Sequence, residues 1–241
     1  MFVRYASAEV TDVIESIVKK EDIIRKAQSI PLIADLDFDR YVIFRCRVMG
    51  GDYSNGNGDF FPWKELLASY KTLIGKPLDR NHKMVSPLDV KGHVFLVEPI
   101  EANGDRYLEG YAGCDRELDA GMADDIAKGV LKSVSMSCLV NSAECGICHN
   151  VATKPSNICK HMRPIKEGGL KGSKTAISSL NPYGIIYETQ RGITFTGLAV
   201  VDLPADASAD IFEVWASLGF TKEEVLNSID IITRYLDCIN K

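Results

Sequence analysis

Three serines alternate along one apolar stretch of the chain, and their spacing suits shared chemistry. Ser133, Ser135 and Ser137 are spaced two positions apart within residues 129–138. In a β-strand, side chains two positions apart point to the same face, so one face of this predicted strand carries three hydroxyl groups. A serine hydroxyl becomes an effective nucleophile only when a neighbouring base removes its proton. The pattern therefore predicts candidate nucleophiles that need a base from elsewhere in the chain.

The candidate base is His82, the last residue of the loop segment 75–82, whose sequence is GKPLDRNH. A histidine ring titrates near neutral pH, which suits it to accept a proton from a serine and to return it later. Backbone N–H groups would then stabilise the oxyanion that forms on the substrate. The sequence thus predicts a serine and histidine pair made by a strand and a distant loop.

A second group of reactive side chains has the spacing of a metal site. Cys145 and Cys148 are separated by two residues, and Cys159 and His161 follow within a short distance. Such a pair can present both sulfurs to one ion, and a second pair can complete a tetrahedron. We therefore predict a structural zinc knuckle with these four ligands, and His149 is the competing nitrogen ligand.

Two other interpretations of this cysteine group are weaker. The segment 145–149 also satisfies the C-x-x-C-H pattern of covalent haem attachment, but that pattern leaves the second cysteine group unexplained. The second interpretation is a loop with reduced surface cysteines. The presence of four metal-ligand side chains in so short a span argues against it. The surrounding segment is too polar to build a core, so a bound metal would supply its folding free energy.

Hydrophobic periodicity predicts the elements that position these groups. Gly129 ends a predicted helix immediately before the serine strand, and Thr221 with Glu224 forms a capping box for a C-terminal helix. Residues 141–180 are poor in large aliphatic side chains, and we interpret them as an insertion. Helices are also predicted over 10–28, 62–70 and 115–128, and strands over 41–48, 90–97, 106–112, 185–187 and 193–201.

Composition limits the functional classes. The 241 residues carry a net charge of -5, with 46% hydrophobic and 25% charged residues, values typical of a globular protein. Lysine and arginine are scattered rather than clustered, which disfavours a nucleic-acid surface. No apolar run approaches the roughly 18 residues that span a bilayer. The start lacks the plan of a signal peptide, so we expect a cytoplasmic protein with reduced thiols.

Several motifs occur in an order seen in one protein family. They cover residues 55–62, 75–82, 91–94, 133–137 and 199–206. In this order, over about residues 41–210, the chain resembles the tailed-phage prohead maturation proteases, which are related in fold to herpesvirus assemblin. The resemblance implies that Ser135 is the nucleophile and His82 is the base.

The resemblance also leads us to expect a third catalytic residue that orients the histidine. The family often has an acidic residue on the late strand, and the matching position here is Gly197. Two substitutes remain open. His93 would echo the assemblin arrangement of a serine with two histidines, and Asp202 is the acid nearest the end of the late strand.

These observations lead to one expected architecture and function. We expect an α+β fold with a mostly antiparallel, β-barrel-like sheet flanked by helices and an inserted cysteine-rich zinc knuckle. Residues 1–40 form an N-terminal helical segment, 41–210 a protease-like domain that includes the 141–180 insertion, and 211–241 a C-terminal helix. The resemblance implies a serine endopeptidase that cleaves scaffold and capsid-protein extensions, and itself, during prohead maturation.

The resemblance further implies partners and a location. The partners would be the major capsid protein and the scaffold protein of the same phage, together with further copies of the chain in a homo-oligomer. The location would be the host bacterial cytoplasm, inside the immature capsid, with no membrane and no nucleic-acid partner. Two alternatives remain: a catalytically degenerate, structural protease-fold component of the capsid, and a weaker one, a zinc-knuckle module for nucleic acid.

Overall fold

Nine strands of one sheet dominate the computed structural model, which describes residues 19–31, 33–84, 86–163 and 187–215. The strands are β1 Tyr41–Gly50, β2 Asp59–Phe60, β3 Pro77–Arg80, β4 Gly92–Ala102, β5 Asp105–Asp115, β6 Ser133–Cys145, β7 Val151–Ala152, β8 Glu188–Val201 and β9 Ile211–Trp215. The helices are α1, described over 19–28, α2 Trp63–Ser69 and α3 Ala120–Ala127. Short 3-10 turns cover Phe38–Arg40, Tyr70–Leu73, Pro87–Asp89, Pro155–Asn157 and Lys160–Met162.

The sheet is mixed but mostly antiparallel. Its strand order is β7-β6-β8-β3-β4-β5-β1-β9, and β2 pairs with β8 beside this path. Only β2 and β3, both paired with β8, run parallel to their neighbour among the described strands. The predicted α+β class with a mostly antiparallel sheet and few flanking helices is therefore confirmed.

The start of β6, the second strand of this order, contacts the segment that leads into β9 at the other end. The backbone N–H of Val134 donates to the carbonyl of Ala209 at 2.9 Å, and that of Ile211 donates to Lys132 at 2.6 Å. An isolated bridge joins Ser133 and Asp210 between these bonds. The first residues of the serine strand β6 are thus held beside the start of β9.

Both faces of the sheet are buried, because successive side chains of a strand point to opposite sides. Val42 and Phe44 of β1 enter the larger core, which α2 and α3 also cover. Tyr41 and Ile43 of the same strand point the other way and pack against α1. The larger core also holds Leu66, Leu78, Met122, Val134, Phe195 and Leu198, and the smaller one holds Ile23, Ala27, Phe38, Phe95 and Trp215.

Most predicted elements are present, with boundary differences that have local causes. The hairpin between β4 and β5 turns at Asn103 and Gly104, with φ of 53° and 81°, as their sequence predicts. Helix α3 begins later than predicted because Asp115 still belongs to β5. The Asp119 side chain caps the helix by accepting the N–H of Met122 at 2.9 Å.

Two stretches differ from the expected domain plan. Residues 211–215, expected within a C-terminal helix, form β9 because they pair with β1. Strand β6 continues to Cys145, into the expected insertion, because β8 pairs with it along this whole length. Most of the N-terminal segment, the loop part of the insertion, the predicted strand start at 185–186 and residues 216–241 lie outside the described residues.

Gly92 provides a test of the strand packing that supports the site. A Cβ at Gly92 would lie 1.8 Å from the carbonyl oxygen of Gly113 on the paired strand β5. We expect Gly92→Ala to lower the free energy of unfolding by about 3 kcal/mol or more, because the clash is with backbone. Chemical denaturation measures the change.

Gly121→Ala in α3 is the matched control. The nearest atom to a Cβ there is Asp119 Oδ1 at 3.6 Å, an ordinary contact. This control should raise the free energy of unfolding by up to about 1 kcal/mol, since alanine favours helix over glycine. Equal effects of the two changes would contradict the close β4–β5 approach.

Candidate active site and metal centre

A strained turn presents His82 at the end of β3. Asn81 and His82 both have positive φ, at 57° and 54°, which is uncommon for residues other than glycine. The backbone N–H of Asn81 donates to Val200 at 3.0 Å, and its side-chain amide donates to Asp202 at 3.2 Å. The Asp202 N–H in turn donates to the Asn81 side chain at 3.3 Å. The turn is therefore anchored to the end of β8.

The His82 ring contacts a serine of β6. Ser137 Oγ lies 2.9 Å from His82 Nδ1, a hydrogen-bond distance. Strand β8 lies between β3 and β6, and its residues paired with Ser137 and Ser135 are Gly197 and Ala199. These small residues leave room for the ring between the β3 turn and the serine strand. Tertiary structure thus brings together residues that are 55 positions apart in sequence.

A cavity of about 340 Å³ contains this pair and a second serine. His82, Ser135 and Ser137 all line the cavity, and Cys138 extends its wall. No hydrogen bond joins Ser135 to His82 in the described part of the chain. Ser133 does not line the cavity, and its hydroxyl donates to Asp210 at 2.8 Å. Of the three serines, the structure therefore places Ser137 at the ring, Ser135 in the same cavity and Ser133 elsewhere.

Neither predicted orienting residue contacts the His82 ring. His93 is on β4, and its Nδ1 lies 3.3 Å from the Tyr41 hydroxyl on the sheet face that packs against α1. Burial lowers the pKa of His93, and the nearby negative charge of Asp115 partly offsets this shift. Asp202 bonds to Asn81 rather than to the ring, so it supports the turn that carries His82.

Asp79, a buried carboxylate beside the His82 turn, was not predicted from the sequence. Asp79 is 4% exposed, and its Oδ1 has no hydrogen-bond partner within the described residues. Burial raises the pKa of Asp79, while the positive charge of His82 and the nearby backbone N–H groups of His82 and Lys83 partly offset the rise. The available signal was a charged residue inside a strand three positions before the histidine.

A hydrogen-bonded aspartate forms the opposite wall of the cavity. Asp206 accepts the N–H of Gly50 at 2.9 Å and the hydroxyl of Tyr53 at 2.5 Å, and Ser208 donates to its other oxygen at 2.7 Å. Burial raises the pKa of Asp206, but these hydrogen bonds outweigh it and lower the pKa. All its oxygens are occupied, so Asp206 holds the loop after β8 against the end of β1.

The predicted metal ligands converge on one point. The ligand atoms of Cys145, Cys148, Cys159 and His161 all lie within 4.8 Å of one another. The short β6–β7 hairpin positions the first pair, and the N–H of Ile147 donates to Cys145 Sγ at 3.4 Å. Three thiols and an imidazole in this arrangement can hold a metal ion.

The competing ligand His149 points away from this cluster. Its Nδ1 lies 3.3 Å from Glu144 Oε1, and its φ is 57°. The geometry therefore selects His161 over His149 as the nitrogen ligand.

Two thiols of the cluster have shifted pKa values. The backbone N–H of Asn150 and the side chain of His161 lower the pKa of Cys148 to about 6, which favours the thiolate form. Burial instead raises the pKa of Cys145 to about 11.

Comparisons with known proteins do not extend these observations. No protein-family model matches the sequence, and no curated protein matches it. Within the described ranges, none of the helices has both the length and the apolar character needed to cross a membrane.

The opposite pKa shifts of Asp79 and Asp206 give a test of the electrostatic environments of these two carboxyl groups. The folded-state pKa of Asp79 is raised, so its ionised form opposes folding, and stability is lost as pH rises through that pKa. Asp79→Asn should therefore stabilise the protein relative to wild type increasingly from about pH 4 to pH 7. Thermal unfolding midpoints measured across this range record the difference.

Asp206→Asn is the control with the opposite sign. The folded-state pKa of Asp206 is lowered, so its contribution to stability is present at neutral pH and is lost as pH falls through that pKa. This substitution should destabilise the protein at pH 7 and have less effect in acid. If the stability of both variants, relative to wild type, changed with pH in the same direction, the environments assigned to Asp79 and Asp206 would be contradicted.

Proposed function

We propose that this chain is a serine endopeptidase in which His82 acts as general base for a serine of β6. The observation that carries the proposal is the 2.9 Å contact between His82 Nδ1 and Ser137 Oγ in a cavity that Ser135 also lines. A serine hydroxyl beside a histidine is the arrangement that activates the nucleophile of acyl-transfer enzymes. The cavity offers space for a peptide group next to this pair.

Ser135 is the proposed nucleophile, as the resemblance to prohead proteases implies. Catalytic hydrogen bonds are often long before substrate binds, so the present lack of contact with His82 agrees with this role. Ser137 is the second candidate, because its hydroxyl is already within hydrogen-bond distance of the ring. The two serines share a strand face, so either is close to the base.

The biological setting of the proposal follows the same resemblance. The enzyme would act inside the immature phage capsid in the bacterial cytoplasm, as a homo-oligomer, on the scaffold protein, capsid-protein extensions and itself. The curl of the sheet toward a barrel belongs to this proposal, and the backbone bonds between 132–134 and 209–211 support it.

A structural capsid component with the same fold is the second candidate function. It is favoured by one observation: among the described residues, no carboxylate is hydrogen-bonded to the His82 ring. A carboxylate beside the ring stabilises the imidazolium that forms during catalysis, so a ring without such a partner is a weaker base. This function predicts a chain that assembles with capsid proteins and cleaves none of them.

Co-expression with the capsid and scaffold proteins of its phage separates the two functions. Wild type should shorten the partner proteins, and intact-mass spectrometry identifies each product. Ser135→Ala and His82→Ala should lower the cleavage rate at least about a thousandfold, because each removes a reacting group. Ser133→Ala is the control, because Ser133 bonds to Asp210 outside the cavity, and it should behave as wild type.

The mass spectra also identify the outcomes that contradict the proposal. Uncleaved partner proteins with wild type would favour the structural role. Full cleavage by Ser135→Ala, with none by Ser137→Ala, would move the nucleophile to Ser137.

We further propose that the ion held by the cysteine and histidine cluster is a structural zinc. Three thiolates and one imidazole complete a tetrahedron and leave no open position at which a water could be activated. Elemental analysis of protein purified without chelators should find about one zinc ion per chain. Cys159→Ser should lose the ion and lower the thermal midpoint, because metal binding contributes folding free energy.

His149→Asn is the matched control for the zinc site. His149 is adjacent in sequence to the first cysteine pair but contacts Glu144, so this variant should keep the ion. Loss of zinc from His149→Asn and retention on replacement of His161 would reverse the ligand assignment. Zinc-free wild-type protein would contradict the site itself.

A further inference from the structure

The two ring nitrogens of His82 have different surroundings, and this difference assigns roles to the two cavity serines. Nδ1 faces the Ser137 hydroxyl at 2.9 Å. A neutral imidazole donates from one nitrogen and accepts at the other, so the partner of one nitrogen determines what the other can do. We propose that Ser137 is a positioning residue that accepts the Nδ1–H of His82, which leaves Nε2 as the base for Ser135. This inference rests on the proposed endopeptidase function.

Ser135 precedes Ser137 by two positions on β6, so the two hydroxyls share a strand face. Residues two positions apart in a strand lie about 7 Å from each other on one face. Both serines and the ring line the same cavity. The Ser135 hydroxyl has no hydrogen-bond partner in the described part of the chain, so it is free to rotate toward Nε2. Ser133 lacks this freedom because Asp210 holds it.

The neighbouring strand offers no orienting side chain at this level. Gly197 is the residue of β8 paired with Ser137, and a Cβ there would lie 3.2 Å from the carbonyl oxygen of Pro77. A longer side chain at Gly197 would therefore need the β3 backbone to shift. Strand β6 supplies the hydroxyl of Ser137 at the ring.

A register shift supports the placement of Ser137. The pairing of β6 with β8 is regular up to Ser137 and Gly197 and shifts immediately afterwards, where Cys138 pairs with Phe195. Such irregularities change the direction of a side chain and often occur next to active sites. Here the shift follows directly the serine that contacts the ring.

This arrangement has a chemical consequence for the reaction. Ser135 Oγ would attack the peptide carbonyl carbon as its proton passes to Nε2, and the same proton would then pass to the leaving amine nitrogen. Ser137 would hold the ring throughout by accepting the Nδ1–H. A neutral hydroxyl orients the ring but stabilises the imidazolium less than a carboxylate would.

The tautomer of His82 tests the assignment without relying on activity. The 241-residue chain carries four histidines, so ¹⁵N labelling of histidine and long-range ¹H–¹⁵N spectra can resolve each ring. His82→Gln identifies the His82 signals. Above the titration range of the ring, wild type should show the Nδ1–H tautomer for His82. Ser137→Ala should lose this preference, and Ser133→Ala should keep it.

The opposite tautomer would overturn the inference. An Nε2–H form in wild type would make Nδ1 the acceptor of the Ser137 proton, which is the geometry of a nucleophile rather than a positioning residue. A tautomer unchanged by Ser137→Ala would show that the hydroxyl does not orient the ring. The rings of His93, His149 and His161 serve as internal references.

Kinetics on a peptide that spans a site cleaved during co-expression give the second readout. Ser137→Ala should lower kcat about tenfold with KM unchanged, the usual effect of losing one neutral hydrogen bond. Ser137→Thr keeps the hydroxyl and should restore the rate. A loss of a thousandfold or more in Ser137→Ala, with activity retained in Ser135→Ala, would overturn the assignment.

Failure of the proposed function would be distinguishable from failure of this inference. Wild-type protein that cleaves no partner protein would overturn the endopeptidase function by the mass spectra alone. The tautomer measured on the same preparation would still decide whether Ser137 accepts from His82.

Discussion

The backbone pairing of β8 is the constraint on which the rest of the structure depends. Residues of this strand pair with β6 on one side and with β3 on the other, over the same levels of the sheet. These two adjacent ladders therefore set the distance between the serine strand β6 and the turn that carries His82. The two ladders together separate β3 from β6 by about 10 Å. The β8 residues paired with Ser137 and Ser135 are Gly197 and Ala199, which add little side-chain bulk between the histidine turn and the serine strand.

The turn that carries His82 is ordered by polar groups rather than by apolar packing. Asn81 bonds both to the β8 backbone and to Asp202, and this double contact compensates for two successive residues with positive φ. Asp79 lies buried beside the same turn, and one of its oxygens has no hydrogen-bond partner among the described residues. Strained backbone and an unsatisfied buried carboxylate both cost folding free energy. Their coincidence at one turn is typical of a functional site, where orientation of a side chain outweighs local stability.

The metal cluster and the serine site belong to the two ends of one strand. Strand β6 carries Ser135 and Ser137 near its start and Cys145 at its end, and β8 pairs with it over this length. The Cys145 side of the hairpin has only a small apolar group, which includes Ala152 and Met162. A bound ion would hold this end of β6 where packing is thin, and so would restrict movement of the strand that carries the serines.

The sequence by itself determined the α+β class, the shared strand face of Ser133, Ser135 and Ser137, the position of His82 in a loop and the four members of the cluster that could hold a metal, because period, turn residues and ligand spacing are local properties. It also indicated the strand carrying the serines. Only the tertiary structure decided that Ser137 lies at the ring, that His93 faces the opposite side of the sheet, and that Asp202 supports the turn. These outcomes depend on register and strand order, which bring together residues far apart in sequence through the β8 ladders.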